Sequence, residues 1–482
     1  MKRKLTIILV LLLCLPLLSA CGKDEIPEGP AELWVVTELT EKYGMNDQAE
    51  RMIKVFQETY PDVTVKLDIL PTDKEERAVY LEKIRTQIMG GGGPDVYLMP
   101  TNNIVPDESS PYGEVKKITP LFRDVNLTMY NGLFYDISEY YDEDETLEKE
   151  ELNTSVMDGG VMDGCRYVLP LRYNISVYLV DRELLEAKGL DVSIFEGGMD
   201  DLMRLGLERN DSDIAKAALP YAWECYFSEY NDYPSERVLL TAGEVAELLR
   251  DYQAVVAMQN TTDGLRVSSS MNYVYDGKFF TTEGYAIGNI NLAGLMDCTA
   301  TAKAAGETLE MYPELASDGT LKGIIEYYAA IGSGCEYPRL AYEFVRLFLS
   351  EEAQYETYHP ASRFRTDYET ACPGWPVRTA GSVEPRFHAL QTRFEHLQKE
   401  RPSSRRAKFL DGNMTMTDAD IPALTWQVDE ARFPVIMEYE DTLQYYITLL
   451  NDYENNNAPT DVDIDALAQA YIDDLQFYLY EG

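Results

Sequence analysis

Histidine is nearly absent from the 482 residues: only His359, His388 and His396 occur, and none has a partner at metal-ligand spacing. Neither a metal site nor a cofactor is expected. GxSxG and HExxH are missing as well, so the usual hydrolase signatures give no sign of an enzyme. Cysteine is sparse, with seven residues and no CxxC spacing. Cys165, Cys225, Cys298, Cys335 and Cys372 are odd in number and far apart, and read as buried small hydrophobes with at most an occasional disulfide. Positive charge is scarce too. Lys and Arg total 42 against 83 Asp and Glu, a formal charge of −41, which repels nucleic acid and anionic membrane and favours solubility. Long apolar runs are confined to Leu5 to Ala20, which Pro16 interrupts and which is too short to span a bilayer comfortably.

What precedes and follows that run is informative. Lys2, Arg3 and Lys4 come before it and Leu18-Ser19-Ala20-Cys21-Gly22 ends it, the flanks of a secretion signal. A cysteine directly after small residues resembles the lipobox of bacterial lipoproteins. That resemblance implies a signal peptide over 1–20, acyl chains such as palmitate on Cys21, and a tether over 21–30. Two or more acyl chains, at about 0.8 kcal/mol per buried CH₂, hold a protein on the outer face of a cell membrane without a transmembrane helix. About 460 residues remain after cleavage, enough for two or three domains.

The mature chain opens with alternating strand and helix. Leu33 to Thr37 reads as a strand; Ala49, Met52, Ile53, Phe56 and Tyr60 recur at helical spacing until Pro61. Val63, Val65, Leu67 and Ile69 alternate with polar residues as a second strand. Asp73 caps a second helix whose Ala78, Leu81, Ile84 and Ile88 share a face. Gly90 to Gly93 stop that helix, Pro94 and Asp95 turn, and Val96 to Met99 has the apolar run of a strand buried on both faces. Strand, helix, strand, helix, strand implies an α/β fold with a mostly parallel sheet. Ligands in such sheets lie beyond the carboxyl ends of the strands, so Met99 to Asn103 is the first place to look.

FQETYPDVTV followed by GGGGPDV resembles the opening of the extracellular solute-binding proteins of ABC importers, in the family that includes the maltodextrin binders. Tyr167 to Pro170 and then VYLVDRELLEAKGL, Val177 to Leu190, are similar to the family's crossover strand and following helix. Asp181 stands where the family usually has the asparagine of a Tyr-Asn pair. Gly323 to Gln354, with AAIGSGCEYPRLAYEFVRLFLSEEAQ, is similar to the family's strand, small-residue turn and helix. The resemblance spans most of residues 31–480. It implies a two-lobed α/β fold of type II, a ligand cleft between lobes, and crossings near Leu169 to Arg172, Met311 to Pro313 and Gly332 to Pro338. Lobe I is then 31–170 plus 312–333, and lobe II 171–311 plus 334–482. Residues 103–160 exceed the family core, and their acidic run Asp142 to Glu145 lacks the glycine of a calcium loop and reads as solvated. The implied mechanism needs no catalytic group: ligand favours the closed form, which the ABC permease recognises.

A sugar cleft offers aromatic faces and polar side chains. Glu224-Cys225-Tyr226-Phe227 resembles the Glu-Pro-Tyr-Phe of the maltodextrin binders, after what reads as a strand end at Lys216 to Pro220, and points to Trp223, Glu224 and Tyr226. Asn102 and Asn103 occupy positions where relatives present an acid and a base, and Asn174 one where a ligand carboxylate is found. Glu38 follows the first strand, and Trp375 and Trp426 are candidate platforms from the carboxyl half. The stretch Arg378 to Lys408 is basic within an acidic chain, a solvated helix and loop or a permease-docking patch. Thr460 to Tyr480 reads as an amphipathic helix packed on lobe II. The leading expectation is a monomeric lipoprotein that captures a small-molecule solute, an oligosaccharide, for an ABC importer. The alternatives are a ligand-presenting sensor of the same fold, a binder of polyamine or peptide, and a surface glycan hydrolase. The 83 acidic residues neither identify nor exclude the carboxylate pair that a hydrolase needs.

Overall fold

The structure is a computed structural model that describes residues 26–38, 46–101, 104–106, 115–180, 182–219, 223–260, 287–291, 310–355, 375–378, 443, 445–447, 449–450 and 462–481. The leader with Cys21, and Asn102, Asn103, Asp181, Trp426, the three histidines, Cys298 and Cys372 lie outside them. Among the described residues no helix is long and apolar enough to cross a membrane. Cys165, Cys225 and Cys335 are in no disulfide, and the last two are buried.

β1 (Ala31–Thr37), α1 (Asn46–Thr59), β2 (Val63–Ile69), α2 (Lys74–Met89) and β3 (Val96–Pro100) follow one another as the sequence predicts. α1 buries Ala49, Met52 and Phe56, one face at helical spacing. The Asp73 carboxylate caps α2 by accepting from the Glu75 and Glu76 N–H groups. Gly93 then takes φ of +106°, a region that favours glycine. The Asp95 carboxylate accepts from the Trp34 N–H at 2.8 Å, tying the turn to β1.

α3 (Val125–Tyr130) comes next, and β4 (Val168–Val180) is buried along its whole length. The second half of the chain adds α4 (Met199–Arg209), the short hairpin β5 (Asn231–Asp232) and β6 (Arg237–Val238), and α5 (Ala242–Asn260). β7 (Ile287–Asn291), β8 (Glu310–Pro313), β9 (Gly323–Ile331), α6 (Pro338–Val345), β10 (Trp375–Pro376) and α7 (Ile464–Glu481) complete the elements used below. The main sheet runs β7-β4-β9-β3-β1-β2, with β8 and β10 also paired to β4. β1, β2 and β3 are parallel, whereas β9 is antiparallel to both β3 and β4.

Register makes β4 the connection between two cores. Tyr327 of β9 pairs with both Pro100 and Arg172. The eight residues after Arg172 therefore run on past the carboxyl end of β3, about 26 Å at strand rise. Leu169, Leu171 and Ile175 belong to the first core with β1, β3 and β9. Tyr178 and Val180 belong to a second core, built from α4, α5 and α7. The chain returns antiparallel along the same strand, β8 against Val177 to Val180 and β9 against Val168 to Ile175. α7 packs Ala468, Tyr471 and Leu475 into the second core, as its pattern predicts.

Five local expectations need correction. Residues 334 onward do not all join the second core: Phe344 of α6 lies edge-on to Phe56 of α1 at 5.4 Å, and Leu340, Phe348 and Trp375 are in the first core. The Gly332 turn is accordingly no crossing, since a Cβ there would lie 2.5 Å from the Pro94 carbonyl oxygen. Ser212–Ala217 is a helix rather than a strand, started by the Asp211 carboxylate accepting from the Ile214 N–H. Asp144 of the acidic run is buried, accepting from Thr146 and from the Tyr342 hydroxyl at 3.1 Å. Arg378, the described residue of the basic stretch, is buried and ion-paired with Glu148 and Glu151, so it is not free to dock a partner.

Candidate functional site

Where β4 runs past the end of β3, its polar residues Asn174 and Ser176 are buried. Ile324 pairs with Asn174 and Ile325 with Tyr173, but Tyr327 pairs with Arg172, so Glu326 is an extra residue in β9. Such a bulge re-aims a side chain. The Glu326 carboxylate accepts from the Asn174 amide at 2.8 Å, and both residues are buried. Burial pushes the Glu326 carboxyl above its ordinary range, with the Asn174 hydrogen bond opposing. The Glu326 carbonyl accepts from the Thr101 N–H at 2.9 Å, so this pair sits beside the end of β3. Trp375 pairs with Tyr173, next to Asn174, and is itself buried in the first core.

The loop carrying Trp223 and Tyr226 meets the segment between β8 and β9 from the second core. Lys322, one residue before β9, is buried; its ammonium donates to the Phe227 carbonyl at 2.6 Å and stands 4.7 Å from the Tyr230 ring centroid. Ser317 donates to the Tyr226 carbonyl at 2.8 Å, and Glu314 donates its N–H to the Ser176 carbonyl. Trp223 is edge-on to Tyr252 and near Tyr226, all three in the second core. Burial, then the charges of Asp200 and Asp251, push the Tyr226 phenol upward, so it stays a neutral donor. Trp223–Cys225 form one turn of 3₁₀ helix, which contains Glu224.

Glu38 stands apart. It directly follows β1, but its carboxylate is buried, paired with Arg77 at 2.8 Å and accepting from the Leu121 N–H at 3.0 Å. Instead of facing a ligand, it fastens the edge of the sheet. Burial raises its carboxyl and the Arg77 charge opposes. Asn174 on β4 and Trp375 on β10 thus lie at neighbouring register positions on opposite faces of the sheet, Trp223 and Tyr226 belong to the second core, Glu38 is engaged elsewhere, and Asn102 and Asn103 lie outside the described residues. Among the described residues no group of acidic, histidine or cysteine side chains is arranged to hold a metal.

Residues 38–355 match the family described as bacterial extracellular solute-binding protein. The chain belongs to that family. Its members are binding proteins and not enzymes, and they work outside the cytoplasm. Among solved structures, a family 1 extracellular solute-binding protein from Alicyclobacillus acidocaldarius is similar over 94% of this chain and 100% of its own, at 13% identity and TM-score 0.51. The cyclic alpha-maltosyl-1,6-maltose binding protein of Arthrobacter globiformis aligns over 94% and 100%, at 13% identity and TM-score 0.46. The GacH receptor of Streptomyces glaucescens gives 94% and 100%, 14% and 0.47. At 13% identity the first of these likenesses is one of fold. No curated protein matches the sequence.

Sequence reasoning missed Glu326 and Lys322. The signal for Glu326 was present, a single charge in GIIEYYAAI, where an apolar strand has no other reason to hold one. Lys322 gave no such signal, because it lies in the polar turn before the strand.

Proposed function

We propose that this solute-binding protein captures an oligosaccharide between its two cores and delivers it to an ABC permease, held on the outer face of the cell membrane by acyl chains on Cys21. The observation that carries the reading is the Asn174–Glu326 pair at a strand bulge beyond the carboxyl end of β3. A side-chain amide and a carboxyl whose ionisation burial opposes offer both donors and acceptors to hydroxyls. Trp223, Tyr226 and Trp375 contribute aromatic faces when the cores separate, and Glu224, Asn102 and Asn103 are further ligand contacts in this reading. Lobe I then comprises the first core and lobe II the second, and the protein acts as a monomer.

A thermal-shift screen of the mature chain against oligosaccharides, polyamines and short peptides tests the reading. Ligand at a hundred times its Kd stabilises the fold by about 2.7 kcal/mol. One class of oligosaccharide raising Tm is the expected result; a response to polyamines or peptides alone overturns the sugar. Cys21→Ser should move the protein from the membrane to the soluble fraction, and retention in the membrane would remove the anchor. Loss of uptake on deleting the protein, with no change in ligand-dependent signalling, separates delivery from a sensor role.

A further inference from the structure

The two cores touch at a second place besides the β4 crossing. The Tyr233 hydroxyl, in the β5–β6 hairpin, donates to Oδ1 of Asp124 at 3.3 Å. Asp124 is 3% exposed and its Oδ1 also accepts from the Leu127 N–H at 2.9 Å, capping α3 in the first core. The hairpin is fixed to the second core: Val238 is buried there, Leu239 donates its N–H to the Tyr230 carbonyl at 2.8 Å, and the Gln476 amide of α7 donates to the Glu236 carbonyl at 3.0 Å. Beside this contact the Arg123 guanidinium lies 6.0 Å from the Tyr478 ring centroid, again linking the first core to α7. Arg123 and Asp124 follow Leu121, whose N–H is held by Glu38 just past β1. The contact therefore grips the carboxyl-end edge of the sheet, the edge along which the cores must part to admit a ligand.

We propose that the Tyr233–Asp124 hydrogen bond, with Arg123 on Tyr478, is a latch that holds the two lobes together without ligand and sets how readily they open. This rests on the capture reading above. Residues joined through a strand crossing separate only if every other contact between the bodies breaks, so a latch lowers the open population and biases the equilibrium that ligand also biases. Burial and the Asp124 charge keep the Tyr233 phenol protonated, so it remains a donor across ordinary pH.

The test is pulsed dipolar spectroscopy on the ligand-free full chain, with noncanonical spin-labelled residues at Val79 and Phe477, both exposed and one in each body. Tyr233→Phe keeps the ring and removes the donor; it should raise the open-to-closed ratio about fivefold, the factor for one net hydrogen bond. Asp124→Asn keeps a good helix cap and should shift the ratio the same way by less. A distance distribution that shifts toward the closed form on adding the oligosaccharide panel, yet is unchanged by Tyr233→Phe, overturns the latch and leaves capture standing. A single narrow distribution that neither ligand nor variant moves overturns both.

Discussion

Glu38 and Glu326 are both buried carboxyls near the carboxyl-end edge of the same sheet, and their partners differ. Glu38 meets a guanidinium and a backbone N–H. Glu326 meets a side-chain amide. A buried charge with a fixed opposite charge serves one arrangement of the chain, because losing the partner strands it. A buried acid bonded to an amide can exchange that partner for another of similar polarity. The contrast separates a fastening from a place where a ligand hydroxyl can enter.

The largest effect should come from breaking the fastening. Arg77 also donates to the Thr119 and Pro71 carbonyls, so Arg77→Ala leaves Glu38 and two carbonyls without it and should destabilise by about 3–5 kcal/mol, measured by urea unfolding. Solute affinity should then change little under conditions where the variant is folded. Asn174→Ala should remove about 1–3 kcal/mol of stability by leaving the Glu326 carboxyl unmatched, and calorimetry should also show weaker solute binding. Retained binding with lost stability would make this pair a fastening like the first.

Glu326→Gln should have the smallest effect on stability, under about 1 kcal/mol near neutral pH, and a clearer one on pH dependence. Burial raises the folded carboxyl above its unfolded value, so the folded protein retains a proton that the unfolded chain has released. Stability must fall as pH rises through the window between those two values and level off above it. Unfolding from about pH 4 to about pH 8 should therefore slope less steeply in Glu326→Gln. The slope that remains belongs partly to Glu38, raised in the same direction. An unchanged slope would mean that Glu326 does not carry the proton.

Local signals made the first part of the fold legible. Asp73 before a helical period, glycines before an apolar run, and alternation from Val63 to Ile69 each act within one element. The placement of α6 was not legible. Its apolar face is obvious in Leu340 and Phe344, but the surface it covers is Phe56, far away in the chain. The strand expected at Lys216 failed because the competing signal, an aspartate cap at 211, lies upstream of the apolar residues. At the site, resemblance named Asn174 while the bulge that gives it a partner depends on pairing between strands, which one sequence does not display.

The closure of the first core also orders events in time. Gln48 donates its amide to the Ala353 carbonyl 305 residues later, and the Arg172 guanidinium reaches the Gln354 and Ala353 carbonyls across 182 and 181 residues. A chain emerging from its amino end cannot make these contacts until nearly three quarters of it has been synthesised, and long loops are slow to close. For a protein that must work outside the cytoplasm, late closure keeps the amino-terminal body open while the chain is still being handed to the export machinery.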